Sequence, residues 1–484
     1  MRIGMTRCLR ISRAWTGVLL LGAAVWSGSV LLADPVLAQN QTFRTTGGGL
    51  NVGRFIFFPS ISLDYMKDSN VLYRSDDLPA DGNIDSGIFF ARPRILADMP
   101  LGRSRIRWIY APVYRNYADE SIQLPRRLTH NFDLDSTFHI GPSLRLSVRE
   151  HYVRGVVELQ EVDKGGELTF GLAPFTSHQP SLLVDVDLGS RHGVSLLPRY
   201  TEVRFDRGSS GAAAFLSYET KVLEGRYNYR LGPSETLYAY YSYGHTDQRR
   251  GQIFFSDLVL TSESFGLGLM RALSPDLTTE MSVGYRTVTF AGGEASDFAG
   301  PVCDGRATFQ LSAGAGLSLV AGRQPYQSFF LNNSYYIDNE VTLRFVQQIG
   351  PKTSLEISGT ILTNAYADGL DIGVKPQTEA TEDCDGDGQV DGSDCNGNRL
   401  IDALESTFCD PPGTCPSLGV RRRDKVTRFQ IGAGFRIAPT ARLSVGYNEE
   451  RRGSNIDQVG PGGFYDPFDL RVRRFFFRIE AGWM

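Results

Sequence analysis

Along most of the chain, aliphatic or aromatic residues alternate with polar or small ones, a period of two that predicts β-strands with one apolar and one polar face. In 442–448, Leu443, Val445 and Tyr447 fall on one face, and Arg442, Ser444, Gly446 and Asn448 on the other. The same pattern sets Phe429, Ile431, Ala433, Phe435 and Ile437 against Arg428, Gln430, Gly432, Gly434 and Arg436, and it runs without a break from Phe309 to Leu319. Stripes at helical spacing are scarce.

The breaks in the pattern come in two kinds. Tight turns with a central Pro recur at Gly141-Pro142-Ser143, Gly232-Pro233-Ser234, Ser274-Pro275-Asp276, Gly350-Pro351-Lys352 and Ala438-Pro439-Thr440, since Pro suits the second position of a type I turn. Less regular turns are expected near Gly102, Gly189 and Gly322. The opposite connections are long and polar: 67–86, 160–178, 206–213, 248–257, 292–305 and 453–467. Eight short turns and nine long connections predict 18 strands from about Phe55. One pair of these strands meets at a short Asp338-Asn339 turn; if 327–349 is instead one strand or a plug, the count is 16. Either way the chain reads as all-β, a transmembrane up-and-down antiparallel β-barrel of outer-membrane type with its short turns in the periplasm. A soluble sandwich shares the alternation. The C-terminus separates the two: Phe475, Phe477, Ile479, Ala481 and Trp483 alternate almost to the end. This resembles the signal by which the barrel assembly machinery recognises its clients, with Met484 as the departure.

The first 38 residues stand apart. Arg2, Arg7, Arg10 and Arg13 precede an apolar run from Ala14 to Leu32 and a Val36-Leu37-Ala38 end, the layout of an export signal cleaved before Gln39. The run is also long enough for an uncleaved anchor. Residues 39–53 then form a short periplasmic tail, 54–375 and 426–484 the barrel, and 376–425 an insert.

The opening strand, Phe57 to Tyr65, runs into Asp68-Ser69-Asn70-Val71. This resembles the start of an outer-membrane β-barrel porin family often encoded with capsule or exopolysaccharide genes. The resemblance implies a pore, and more weakly polysaccharide export with separate periplasmic export components. Exporters that carry their own periplasmic helical repeats differ, because only about 15 residues lie between Ala38 and the first strand.

With the polar face turned inward, the lumen receives Arg105, Arg107, Arg115, Arg145, Arg149, Arg226, Arg230, Arg286, Arg344, Arg428, Arg436, Arg442, Arg474 and Arg478, against Asp64, Asp133, Asp135, Asp185, Asp187, Glu224, Glu280, Glu356 and Glu480. An Arg on the lipid face would cost about 2–4 kcal/mol at the midplane, which fixes the side these residues take. They serve either as interstrand ion pairs filling the lumen or as a hydrated path favouring anionic or polyhydroxylated solutes. Tyr238, Tyr240 and Tyr241 are either girdle residues at the membrane interface or stacking rungs in the lumen.

Alternation stops in the insert. Asp383, Asp385, Asp387, the Gln389 carbonyl, Asp391 and Asp394 occupy positions 1, 3, 5, 7, 9 and 12 of a calcium loop, with Gly388 at the sharp turn and Val390 as apolar pin. A second, overlapping loop uses Asp394, Asn396, Asn398, the Leu400 carbonyl, Asp402 and Glu405, with Arg399 where Gly is usual. The pair resembles thrombospondin type-3 or dockerin-like calcium repeats. The alternative is an acidic solvated loop. No His lies among these residues, which argues against zinc and for a hard, oxygen-liganded cation. Cys384, Cys395, Cys409 and Cys415 all fall here, so an exported chain would hold two local disulfides, with three pairings open and Cys303 left over.

The formal net charge of −4 hides this device: residues 381–410 hold nine acids against one Arg, so the rest of the mature chain is near neutral. That balance gives no nucleic-acid signature. The six His are scattered and no Gly-X-Ser-X-Gly elbow or phosphate loop occurs, so no enzyme is expected. Two functions remain: a channel or export pore with a calcium-stabilised outer loop, or a barrel anchoring a calcium-dependent surface-binding loop, in either case held in outer-membrane lipid with the insert facing outside.

Overall fold

The computed structural model describes residues 49–71, 84–122, 124, 126–156, 174–206, 217–249, 258–274, 276–291, 297–328, 335–369, 421–455, 458–460, 463–465 and 469–482. Its strands in chain order are β1 (Leu50–Val52), β2 (Phe55–Asp68), β3 (Ser86–Leu101), β4 (Ser104–Tyr110), β5 (Val113–Tyr117), β6 (Leu128–Ile140), β7 (Leu144–Val156), β8 (Pro174–His178), β9 (Ser181–Asp187), β10 (His192–Phe205), β11 (Ser217–Gly232) and β12 (Glu235–Arg249). They continue with β13 (Leu258–Ser274), β14 (Leu277–Phe290), β15 (Phe298–Ser312), β16 (Ala315–Gln327), β17 (Tyr335–Ile349), β18 (Thr353–Gly369), β19 (Arg421–Ala438), β20 (Ala441–Ser454), β21 (Gln458–Gly460), β22 (Gly463–Tyr465) and β23 (Leu470–Gly482). Successive strands pair antiparallel, and β23 returns to β2 over Ser60↔Gly482 to Asp68↔Arg474, closing the sheet. β4 with β5, and β8 with β9, each fill one barrel position across a short interruption. The result is a closed 18-strand antiparallel barrel, which leaves no unpaired edge. β1 adds a small hairpin to the start of β2, and β21 pairs only with β22.

The turn end is built as the sequence implies. Gly141 and Gly350 precede proline at φ 67°, in the left-handed region that glycine enters without steric cost. Four expectations fail locally. No turn occurs at Asp338-Asn339: β17 runs straight through, with Asp338 opposite Gln324 and Asn364, and the chain reverses between Gln327 and Tyr335. Asp and Asn are turn formers by propensity, but here Asp338 is buried on the inward face and Asn339 accepts a hydrogen bond from Arg323 at 2.7 Å. Gly322 is likewise mid-strand, paired with Asp304. The turn lies at Ala313-Gly314, between Ser312 and Ala315, and two residues leave the odd-even parity intact, so alternation from Phe309 to Leu319 passes over it unseen. Finally, β15 begins at Phe298, which puts Cys303 on a strand rather than in a long connection, and β19 already pairs with β18 at Arg421.

Most barrel strands run 13 to 18 residues, more than the ~9–11 a tilted strand needs to cross a bilayer. The surplus lies at the loop end, where the faces change character. Near the turn end, β14 points Met281, Val283 and Tyr285 outward and Glu280, Ser282 and Arg286 inward; near the loop end it points Thr287 and Thr289 outward and buries Val288 and Phe290 inside. β10 and β23 do the same: Glu202, Arg204, Arg471 and Arg473 face out while Val203, Phe205, Leu470 and Val472 are buried inside. The barrel thus has an apolar-coated stretch and, beyond it, a polar-coated collar.

Candidate functional site

Register fixes the inward face. Asp64 of β2 stands between Phe90 of β3 and Arg478 of β23, is only 4% exposed, and accepts from Arg92 and, at 2.5 Å, from Arg478 Nε. Leu63 and Tyr65 on either side point out at 41% and 51% exposure. Carried around the barrel, this parity puts every Arg and acid expected in the lumen on the inward face.

Those residues form ladders across neighbouring strands. Arg105 forks onto Asp98 at 2.5 and 2.6 Å, with Arg107 farther off at 3.9 Å. Arg149 meets Asp135 at 3.6 Å, His151 bonds Asp133 at 2.6 Å, Arg145 meets Asp185 at 2.5 Å, and Arg230 meets Asp187. Glu224 holds Arg199 at 3.1 Å and Arg226 at 2.6 Å. Arg344 pairs with Glu356 at 2.8 Å and Arg428 with Glu450 at 3.1 Å. Arg442 reaches over β19 to donate to Ser354 at 2.8 Å, and Arg474 meets Asp68 at 2.7 Å. Among the described residues, inward Arg94, Arg286, Arg306 and Arg436 have no ion pair. Inward Glu280, Asp304 and Glu340 are likewise without an ion pair among the described residues, so the unpaired groups of the lined stretch leave only a small positive surplus.

Two aromatic patches lie flat on this wall. The Tyr240 ring covers Gly266 and Gly284, Tyr238 covers Gly268, and across the seam Phe476 covers Gly446; a Cβ at any of these glycines would collide with the ring or the facing backbone. Glycine on the adjacent strand gives the ring a recess, so large side chains line the lumen without standing into it. Tyr238 and Tyr240 are thus lumen residues, whereas Tyr241 points out at 50% exposure. Arg226 lies 5.1 Å above the Tyr238 ring.

In the collar the inward side chains are packed. Leu260, Val288, Phe290, Phe298 and Val302 form one cluster, and Ile88 and Phe90 belong to another. Between them sits a buried ion group. Asp424 accepts from Arg422 at 2.6 Å and Arg452 at 2.7 Å, all three side chains at 1% exposure or less, and Arg422 also stacks 4.6 Å from the Tyr366 ring. Two guanidiniums on one carboxylate supply the pairing that buried charge requires.

Sequence reading missed Arg92, Asp98, Arg199 and the Arg422-Asp424-Arg452 group. Pro93 and Pro100 blur the alternation in β3, and 421–425 looks like a plain charge run unless read in phase with Val426 and Arg428. The calcium-loop residues Asp383 to Glu405 and the four insert cysteines lie outside the described residues. Among the described residues no group of three or more His, Cys, Asp or Glu converges as a metal site.

No protein-family model and no curated protein matches this chain. Solved structures do match in outline. The outer membrane protein OpdK from Pseudomonas aeruginosa aligns at 11% identity and TM-score 0.44 over 90% of this chain and 100% of its own. OccK3 (OpdO) of the same organism aligns at 11% and 0.40 over 88% and 96%. The FrpB iron transporter from Neisseria meningitidis aligns at 9% and 0.42 over 90% and 82%.

Proposed function

We propose that this chain is an outer-membrane β-barrel channel for polar or anionic solutes, its short turns in the periplasm and its long connections outside. The observation that carries this reading is the change of facing along single strands. Side chains such as Phe265 at 59% and Val283 at 56% exposure point outward over the stretch whose inward face is charged, and the relation reverses in the collar. An apolar outer band of membrane height around a polar interior is what a lipid-embedded channel requires. Outward aromatics flank the band: Phe57 and Trp108 meet edge-on at 6.1 Å near the turn end, and Tyr447 and Phe475 lie 4.7 Å apart near the collar.

Inside the band the excess of arginine favours anions and polyhydroxylated chains, and the rings over Gly268 and Gly446 offer flat surfaces to sugar faces; polysaccharide passage is the specific form of this reading. The calcium-loop pattern at Asp383–Glu405 lies between β18 and β19, a loop-end connection, so calcium would stiffen an external loop. The chain would function with outer-membrane lipid, the barrel assembly machinery and, for export, separate periplasmic components. The test is conductance of the full chain in planar bilayers with calcium and with a chelator. A steady current whose gating changes in chelator supports the channel. The packed collar favours a second reading, a closed barrel that anchors a calcium-dependent surface-binding loop; it predicts no current and surface binding lost in chelator.

A further inference from the structure

The outer surface where the collar meets the apolar band is charged unevenly. On the β10–β11 side, exposed charges cancel: Arg204 pairs with Glu202, and Lys221 with Glu219 at 2.6 Å. On the adjacent strands β19, β20 and β23 they do not. Arg423, Lys425, Arg451, Arg471 and Arg473 all point outward there, and among the described residues within these three strands Glu449 is the one acid that faces outward with them. Glu449 is shared by Arg451 and Arg471, each at 2.6 Å, and accepts from the Tyr447 hydroxyl at 2.6 Å. Arg423, Lys425 and Arg473 are exposed and have no side-chain ion pair among the described residues.

Arg451 stands directly opposite Arg471 across the β20–β23 ladder, an arrangement that is destabilising without an intervening anion. One shared carboxylate leaves the group strongly positive. Its depth is set by the aromatics immediately below: Phe429 is opposite Glu449, and Tyr447 is opposite Phe475. Aromatic side chains of this kind mark the headgroup level, so the cations lie where lipid phosphates lie. Planar guanidiniums match phosphate oxygens in a two-pronged fashion.

The geometry points to a binding site for the phosphates of the outer leaflet's glycolipid, lipopolysaccharide, on the outward face of β19, β20 and β23. This inference rests on the outer-membrane reading but not on an open lumen, because none of these side chains faces inward.

The test uses the full chain purified from outer membranes in mild detergent and then placed in phosphatidylethanolamine nanodiscs containing lipid A in bisphosphorylated or dephosphorylated form. The triple variant Arg423→Gln, Lys425→Gln, Arg473→Gln removes the unpaired cations and leaves the Glu449 pairs intact. The wild type is expected to retain bisphosphorylated lipid A, the triple variant about tenfold less or lower still, and Lys221→Gln as much as the wild type. Folding is read from the heat-shifted gel mobility of a closed barrel, and single-channel conductance of the variants should be unchanged. Equal retention by wild type and folded triple variant, equal retention of the dephosphorylated lipid, or displacement by millimolar inorganic phosphate alone would overturn the assignment. Loss of conductance in the wild type would count against the channel and leave this site standing. If Arg423, Lys425 and Arg473 cannot be replaced together without unfolding, single substitutions must each lower retention, and their failure to do so overturns it.

Discussion

The apolar-coated stretch and the collar are built from the same strands, yet they solve opposite problems. On the channel reading, lipid would take the place of a core outside the former, leaving the inward face free to be charged: Arg145 is 53% exposed in its pair with Asp185. In the collar, which on the same reading stands in water, burial moves inside, where Phe290, Phe298 and Leu470 are 5% exposed or less. The lesson is that the solvent outside decides what a barrel strand can place inside. Ion pairs of similar geometry therefore differ in what their loss costs, from the exposed, screened Arg145–Asp185 pair of the lined stretch to the fully buried Asp424 group, where removing one partner leaves charge uncompensated.

Breaking a pair in each region gives the largest contrast. Asp424→Asn leaves Arg422 and Arg452 buried with reduced compensation and should destabilise the barrel by about 3–5 kcal/mol, read as a lowered urea midpoint. Leu260→Ala, in the collar cluster, should cost about 2–5 kcal/mol through lost burial and a cavity. Next, Gly446→Val forces the Phe476 ring off the wall and should cost about 1–3 kcal/mol; adding Phe476→Ala should recover part of it, which a backbone defect at Gly446 would not allow. The smallest effect belongs to the lined stretch, where Asp185→Asn should change stability by less than about 1 kcal/mol but shift ion selectivity further toward anions. If Asp185→Asn and Asp424→Asn proved equally costly, the distinction between the regions would collapse.

Much of this architecture was legible in the chain. A period of two is a local signal, and the cost of charge against lipid determines which face turns inward, so the inward placement of Arg226, Arg428 and Asp64 followed from alternation alone. What stayed hidden was phase. Alternation states that two faces differ but not where along a strand their roles exchange, so nothing in it marks Phe290 and Val472 as buried on the inward face. The two-residue turn at Ala313-Gly314 was invisible because it preserves parity, and Asp338-Asn339 misled because the Asn339 side chain finds partners on both neighbouring strands. The glycines under Tyr240 and Phe476 could be located only once register set ring and glycine side by side.

The most direct test of the channel is the reversal potential of the reconstituted wild-type chain across a tenfold potassium chloride gradient, compared with the double variant Arg436→Gln, Arg442→Gln. A hydrated lumen with excess arginine predicts a wild-type potential displaced toward chloride and a double variant displaced less in that direction. A cation-selective wild type, or identical potentials in the two proteins, would contradict it.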